Sequence, residues 1–192
     1  MEDIRSFIAV ELTPEIKLAL ARLQDHLKAG YRAPVRWVAP ENIHLTLKFL
    51  GNVSPGLTGS VTTALEKAAT GMRPLHLEVT GLGVFPNPRR VQIVWVGMAG
   101  ELESLGRLQQ RIESGLAHLG FKAESRPFTP HLTLGRVRES ATPDERQELG
   151  GFIAKSTFQG GGPLEVGAVY LMRSRLTPEG PVYSRLGSVR LG

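Results

Sequence analysis

Two stretches of this sequence have the make-up of catalytic strands. His44-Leu45-Thr46-Leu47 recurs 87 residues later as His131-Leu132-Thr133-Leu134. In a strand, residues i and i+2 share a face. Each copy therefore sets an imidazole beside a hydroxyl and sends its two leucines to the other side, into a core. An imidazole titrates near pH 6.5, so of two in one groove one can be neutral and the other charged close to neutrality. The neutral ring takes a proton from a nucleophile and the charged ring gives one to a leaving group. The threonine hydroxyls can donate hydrogen bonds to oxygens of an anion held between them. In-line displacement at phosphorus needs these parts on opposite sides of a phosphate.

Other chemistries fit the residues less well. A zinc site wants three or four ligands with carboxylate or thiolate support. Each copy offers one nitrogen, with no HExxH and no acidic residue that repeats beside it. The absence of cysteine removes disulfides, thiolate metal sites, iron–sulfur clusters and cysteine nucleophiles. No GxSxG elbow is present. Gly81-Leu82-Gly83 lacks the third glycine and the following helix of a dinucleotide fingerprint. The expectation is an enzyme without metal or cofactor.

The elements that must position these groups can be read from periodicity. Runs 4–12, 43–50, 75–84, 91–98, 131–138, 164–173 and 181–191 read as strands. Thr13-Pro14 opens a helix that ends at Gly30, and 58–70, 101–119 and 143–155 read as further helices. Other fragments repeat with the histidine motif. Leu77-Glu78-Val79 returns as Leu164-Glu165-Val166 at the same offset of 87, and Arg22-Leu23-Gln24 returns as Arg107-Leu108-Gln109 at 85. Pro55 and Pro143 each open a helix. The expected fold is α+β and bilobal. Two lobes related by a pseudo-twofold axis each hold helices against an antiparallel sheet, with the cleft between the sheets. Residues 1–192 form a single domain with an internal repeat.

With 41% hydrophobic residues the chain has enough to build a core and does not read as disordered. The excess of 23 basic over 18 acidic residues, net +5, points to an anionic partner such as a nucleotide or nucleic acid. The amino-terminal MEDIRSFIAVEL is acidic where an export signal is basic, and its apolar run is too short to span a bilayer. A cytoplasmic protein that does not engage a membrane is expected, and nothing calls for an obligate partner chain, so a monomer is expected.

Around the motifs, Arg136 lies five residues after His131, which puts it on the opposite face unless a bulge at Gly135 re-aims it. If re-aimed, it is a further contact to a phosphate or base. Lys48 shares the His44 face at i+4 and would add charge at the cleft rim, or else be a solvated lysine. Trp37, Phe49 and Phe85 are aromatic candidates for stacking a base, although Phe49 falls on the leucine side and reads as core. Arg89, Arg90, Arg126, Arg138, Arg173 and Arg175 are candidates for a backbone-tracking surface. His26, His76 and His118 do not repeat and read as structural or exposed.

With these residues assembled, the sequence resembles the two-histidine phosphoesterase superfamily. Within it, the chain is most similar to the bacterial and archaeal RNA 2′,3′-cyclic phosphodiesterases, also called 2′-5′ RNA ligases. The resemblance runs through Arg5-Ser6-Phe7-Ile8-Ala9-Val10, Arg36-Trp37-Val38, Pro40-Glu41-Asn42 and His44-Leu45-Thr46-Leu47-Lys48-Phe49-Leu50-Gly51. It continues through Gly83-Val84-Phe85-Pro86 to Pro130-His131-Leu132-Thr133-Leu134-Gly135-Arg136. It implies metal-independent hydrolysis of a terminal 2′,3′-cyclic phosphate to a 2′-phosphomonoester, on RNA ends, tRNA fragments or nucleotides. It also implies that His44 donates the proton to the leaving oxygen, His131 accepts one from water, and Thr46 and Thr133 hold the phosphate. The residues alone leave acid and base interchangeable. ATP-independent 2′-5′ ligation, and a binding module without turnover, stand as alternatives.

Overall fold

Thr13 and Thr142 start helices in the same way. The Thr13 hydroxyl accepts a hydrogen bond from the Ile16 amide ahead of α1 (Pro14–Gly30). Thr142 accepts from the Glu145 amide ahead of α4 (Pro143–Lys155), and the Glu145 carboxylate accepts from the Thr142 amide in return. Each pairing satisfies amides that a helix start leaves without partners, and proline fits the first position because it has no amide hydrogen to place. Between them lie α2 (Thr58–Ala69), entered through a short 3₁₀ turn at Pro55–Leu57, and α3 (Leu102–Ala117). All four helices fall within two residues of the ends read from the sequence.

The computed structural model describes residues 2–32, 34–178 and 180–192. Its strands are β1 (Ile4–Val10), β2 (Val35–Trp37), β3 (Leu45–Val53), β4 (Leu75–Phe85), β5 (Ile93–Gly100), β6 (His131–Val137), β7 (Gly162–Val166), β8 (Ala168–Thr177) and β9 (Gly180–Arg190). Two differ from the sequence reading. The run 164–173 is two strands parted at Gly167, and the three-residue β2 had no signal of its own length.

Every ladder is antiparallel. The strand order is β7-β4-β5-β6-β3-β1-β8-β9, with β2 added to β6. The sheet is continuous but pinched at its middle, where β3 and β6 meet through the single pair Leu45 and Leu132. On one side of the pinch β6, β5, β4 and β7 make a lobe; on the other, β3, β1, β8 and β9 make the second. Helices α2 and α3 cover the second lobe, α2 against β8 and β9 and α3 against β3. Helix α4 packs on β4 of the first lobe, and Tyr31 just past α1 stacks on Phe152 of α4. The bilobal α+β fold is therefore present, built from two halves of one strongly curled sheet.

The halves of the chain are not the lobes. Strand β4, from the first half, sits beside β5, and β8, from the second half, sits beside β1. The fragments Leu77-Glu78-Val79 and Leu164-Glu165-Val166 are consequently neighbours in one ladder, Leu77 opposite Leu164, an antiparallel pairing of residues 87 apart like that of Leu45 with Leu132. The other repeated fragment has a clear role. Gln24 on α1 donates to the carbonyl of Leu134 at 2.9 Å and of Val38 at 2.8 Å. Gln109 on α3 donates to the carbonyl of Leu47 at 3.5 Å. Each buried glutamine thus props the motif strand of the opposite half. Leu45, Leu132 and Leu134 have no exposure and Leu47 has 3%, so the motif leucines anchor the strands from behind. Burying each is worth roughly 1.5–3 kcal/mol.

Candidate active site

The contact between Leu45 and Leu132 brings the chemistry together. Flanking it are His44, just ahead of β3, and Thr46 on it, with His131 and Thr133 on β6. The antiparallel sense puts His44 across from Thr133, and Thr46 across from His131. On their outer sides, His131 pairs with Gly97, Thr133 with Trp95 and Thr46 with Ala9. Two of these three neighbours are among the smallest residues, which keeps the floor of the cleft low.

Both imidazoles are held identically. The Nδ1 of His44 lies 2.8 Å from the carbonyl oxygen of Asn42, and that of His131 lies 2.7 Å from the carbonyl oxygen of Thr129. A carbonyl can only accept, so Nδ1 carries the hydrogen in each ring, and Nε2 is left as the nitrogen that gains or loses a proton. Aromatic neighbours fix the ring planes. Phe7 stacks on His44 with centroids 4.7 Å apart, and Tyr183 meets it edge-on at 5.3 Å. Phe85 meets His131 edge-on at 4.9 Å, with Trp95 at 6.4 Å. The Asn42 side chain donates to the carbonyl of Pro181 at 2.9 Å, tying the turn before His44 to the β8–β9 hairpin.

Burial pushes both imidazoles below their ordinary pKa, because it disfavours the charged ring. The backbone hydrogen bond opposes this in each. The remaining influences differ. Lys17 lowers His44 further while Glu11 raises it, whereas Arg136 lowers His131 with no acidic counterweight among the described residues.

Beyond the threonines each motif strand carries a bulge. On β3, Ala9 faces Thr46 but Ile8 faces Lys48; on β6, Trp95 faces Thr133 but Val94 faces Gly135. The extra residue sits at corresponding places, Lys48 and Gly135 being 87 apart. A bulge reverses the alternation of faces after it. Arg136 is therefore turned onto the cleft face, the outcome that a bulge at Gly135 allows. The same device on β3 overturns two expectations. Lys48 is not at the rim: it is 6% exposed, points to the core and pairs with Glu113 at 2.6 Å. Phe49 is not core: it is 67% exposed, on the cleft face beside Phe7, with centroids 6.3 Å apart. Trp37 is no base platform either. It shares the core-side face with Val35, over Gly135, with the Lys28 ammonium 5.8 Å from its ring. Phe85 does reach the cleft, through its contact with His131.

Comparison with known proteins follows from this geometry. The family model described as LigT like phosphoesterase matches the chain twice, over residues 10–95 and 96–183. The chain belongs to the LigT-like phosphoesterases. It is 37% identical over 188 residues to the RNA 2′,3′-cyclic phosphodiesterase of Methanothermobacter thermautotrophicus, covering 98% of this chain and 99% of that one. Among solved structures it is similar to a protein of Thermus thermophilus, with TM-score 0.79, 27% identity and 98% of both chains covered. It is similar also to LigT of E. coli complexed with 3′-AMP, with TM-score 0.77, 26% identity and 99% of both chains covered.

In this LigT-like phosphoesterase the cleft holds residues that the sequence did not single out. Phe7 and Tyr183 frame His44 from β1 and β9, and no local pattern marks them, because only the curl of the sheet brings them there. Among the described residues, no three or more His, Asp and Glu side chains converge as metal ligands, and no helix is long and apolar enough to cross a membrane. His26, His76 and His118 are exposed. Arg89, Arg90, Arg126, Arg138, Arg173 and Arg175 are also exposed, but they are spread over separate segments.

Proposed function

We propose that this LigT-like phosphoesterase opens a 2′,3′-cyclic phosphate at an RNA or nucleotide end to give a 2′-phosphomonoester, using its two histidines and no metal. The observation that carries this reading is the pair of imidazoles with Nδ1 tied to backbone and Nε2 free, flanking one strand contact together with two threonines. The phosphate sits between the rings. Water attacks phosphorus from one side and loses a proton to the Nε2 of His131. The bond from phosphorus to O3′ breaks on the other side, and O3′ takes the proton from the Nε2 of His44. Both rings return to their starting states by proton exchange with solvent. Thr46 and Thr133 donate hydrogen bonds to the non-bridging oxygens.

The roles of acid and base are those the family resemblance implies. Arg136 disfavours a positive charge on His131, which suits a ring that must begin neutral, whereas on His44, which must begin charged, the influence of Lys17 exceeds the support from Glu11. Phe49, exposed on the same face, offers a surface for the base. The test is turnover of a defined 2′,3′-cyclic nucleotide. His44→Ala and His131→Ala should each lose roughly 10²–10⁴-fold, EDTA should change nothing, and the product should carry a 2′-phosphate. Turnover retained in either variant overturns the mechanism.

A further inference from the structure

We propose that Arg36 and Arg136 form a second anion subsite beside the catalytic phosphate, one that takes the 5′-phosphate of the terminal nucleotide. The proposal rests on the reading that the cleft binds nucleotide ends, and it names what lies next to the reacting group.

The argument starts from register. Strand β2 takes up the edge of β6 that β3 leaves, and in that ladder Arg36 stands directly opposite Arg136. Residues directly opposite in an antiparallel pair point to the same face, and like charges in that arrangement repel. The face is the cleft. Val35 and Trp37, on either side of Arg36, lie on the core face: a Cβ on Gly135 would come within 2.5 Å of Val35 and 3.2 Å of Trp37. Arg36 therefore projects the other way, as Arg136 does after the bulge.

Among the described residues nothing neutralises the pair. Neither guanidinium makes an ion pair or a side-chain hydrogen bond among the described residues. Arg73, Arg107 and Arg185, by contrast, are each matched to a glutamate. The charge of Arg136 is felt by His131 on its own strand and by Tyr183 from the other lobe, so it stands over the cleft. Two adjacent, unmatched guanidiniums on the wall of a phosphate cleft are suited to a second phosphate, whose oxygens fit their paired donors.

The spacing selects which phosphate. Thr133 pairs with Trp95 and Arg136 with Ile93, two residues apart on β5. That is about 7 Å along the strand, one nucleotide step of a nucleic-acid backbone from the threonines. Arg36, directly opposite Arg136, stands at the same level along the strands, so both face the outer phosphate. The substrate class that follows is an RNA end, or a nucleotide carrying a 5′-phosphate, in preference to a nucleoside cyclic phosphate without one.

The test compares affinities by titration calorimetry for adenosine 3′,5′-bisphosphate and adenosine 3′-monophosphate. The wild-type chain should favour the bisphosphate. Arg36→Gln should cut that preference roughly tenfold, the loss of one charge-assisted partner, with a smaller effect at high salt. Arg36→Lys should keep most of it. The melting temperature of Arg36→Gln without ligand should equal or exceed that of wild type, since a repulsion is removed. Equal weakening of both ligands, an unchanged ratio, or a wild type without preference overturns the proposal. Turnover of a 2′,3′-cyclic nucleotide is measured on the same wild-type preparation. Its absence refutes the catalytic reading, while the affinity ratio still decides the subsite.

Discussion

Replacing Lys48 by methionine tests the buried position found for this residue against the sequence reading, which put it at the cleft rim or in solvent. The Lys48 ammonium lies 2.6 Å from a Glu113 carboxylate oxygen and 2.9 Å from the carbonyl of Lys122. The side chains are 4% and 16% exposed. Gln109, which reaches Leu47 at the bulge, also donates to Glu113 at 3.2 Å. Methionine preserves most of the stem but leaves the glutamate with one neutral donor. Breaking a buried pair from one side costs roughly 3–5 kcal/mol. The residual exposure of Glu113 favours the lower figure. At this chain length each kcal/mol moves the melting temperature about 2–4 °C, so Lys48→Met should melt roughly 6–12 °C lower. Removing both charges in Lys48→Met/Glu113→Leu should recover most of the loss, because apolar replacements of buried pairs are often neutral. The assay is thermal denaturation together with kcat well below the melting point, where Lys48→Met should stay within about threefold of wild type for a group that touches no reacting atom. An unchanged melting temperature with collapsed kcat would refute the core assignment and return Lys48 to the cleft.

Two further outcomes are expected. Both histidines bind protons more weakly in the folded chain than the ordinary value near 6.5, so the bell-shaped kcat/KM profile should peak on the acid side of that value. The unfolded chain then holds more protons in that window, so stability should fall as pH drops from 6.5 through the folded-state values. A kcat/KM optimum above pH 7.5, or a melting temperature that rises on acidification there, contradicts this. Gly135→Ala should destabilise by roughly 1–3 kcal/mol through overpacking, because its methyl meets Val35, Trp37 and the Arg36 carbonyl within 3.3 Å. A urea double-mutant cycle with Val35→Ala should show favourable coupling, and no cost in the single variant would remove the packing argument.

Much of the site was legible because the motif leucines and the hydroxyl-imidazole pairs obey strict alternation up to Thr46 and Thr133. Alternation fails after that, and the failure explains the misplacement of Lys48 and Phe49 together. A bulge is set by how two ladders fit on either side of a strand, which no single stretch encodes. Yet a signal existed: Gly135 reads as a bulge position, and shifting it back by 87 lands on Lys48. Helices were found to within two residues because caps such as Thr142 with Glu145 are local. Strand β2 was missed for the opposite reason. Its three residues form a strand only because β6 offers an edge, and the pairings of Leu45 with Leu132 and of Leu77 with Leu164 show that residues 87 apart can meet directly in a ladder.

The exchange of β4 and β8 has a consequence for how such a chain can be divided. A cut near residue 90 gives two fragments, each lacking an inner strand of the lobe that carries its own histidine: the first holds β2 and β4 of the other lobe, the second β8 and β9. Neither fragment can close its own sheet, so a working pocket arises only when both are present and interlocked. Assembly of the scaffold and juxtaposition of the two rings are then a single event.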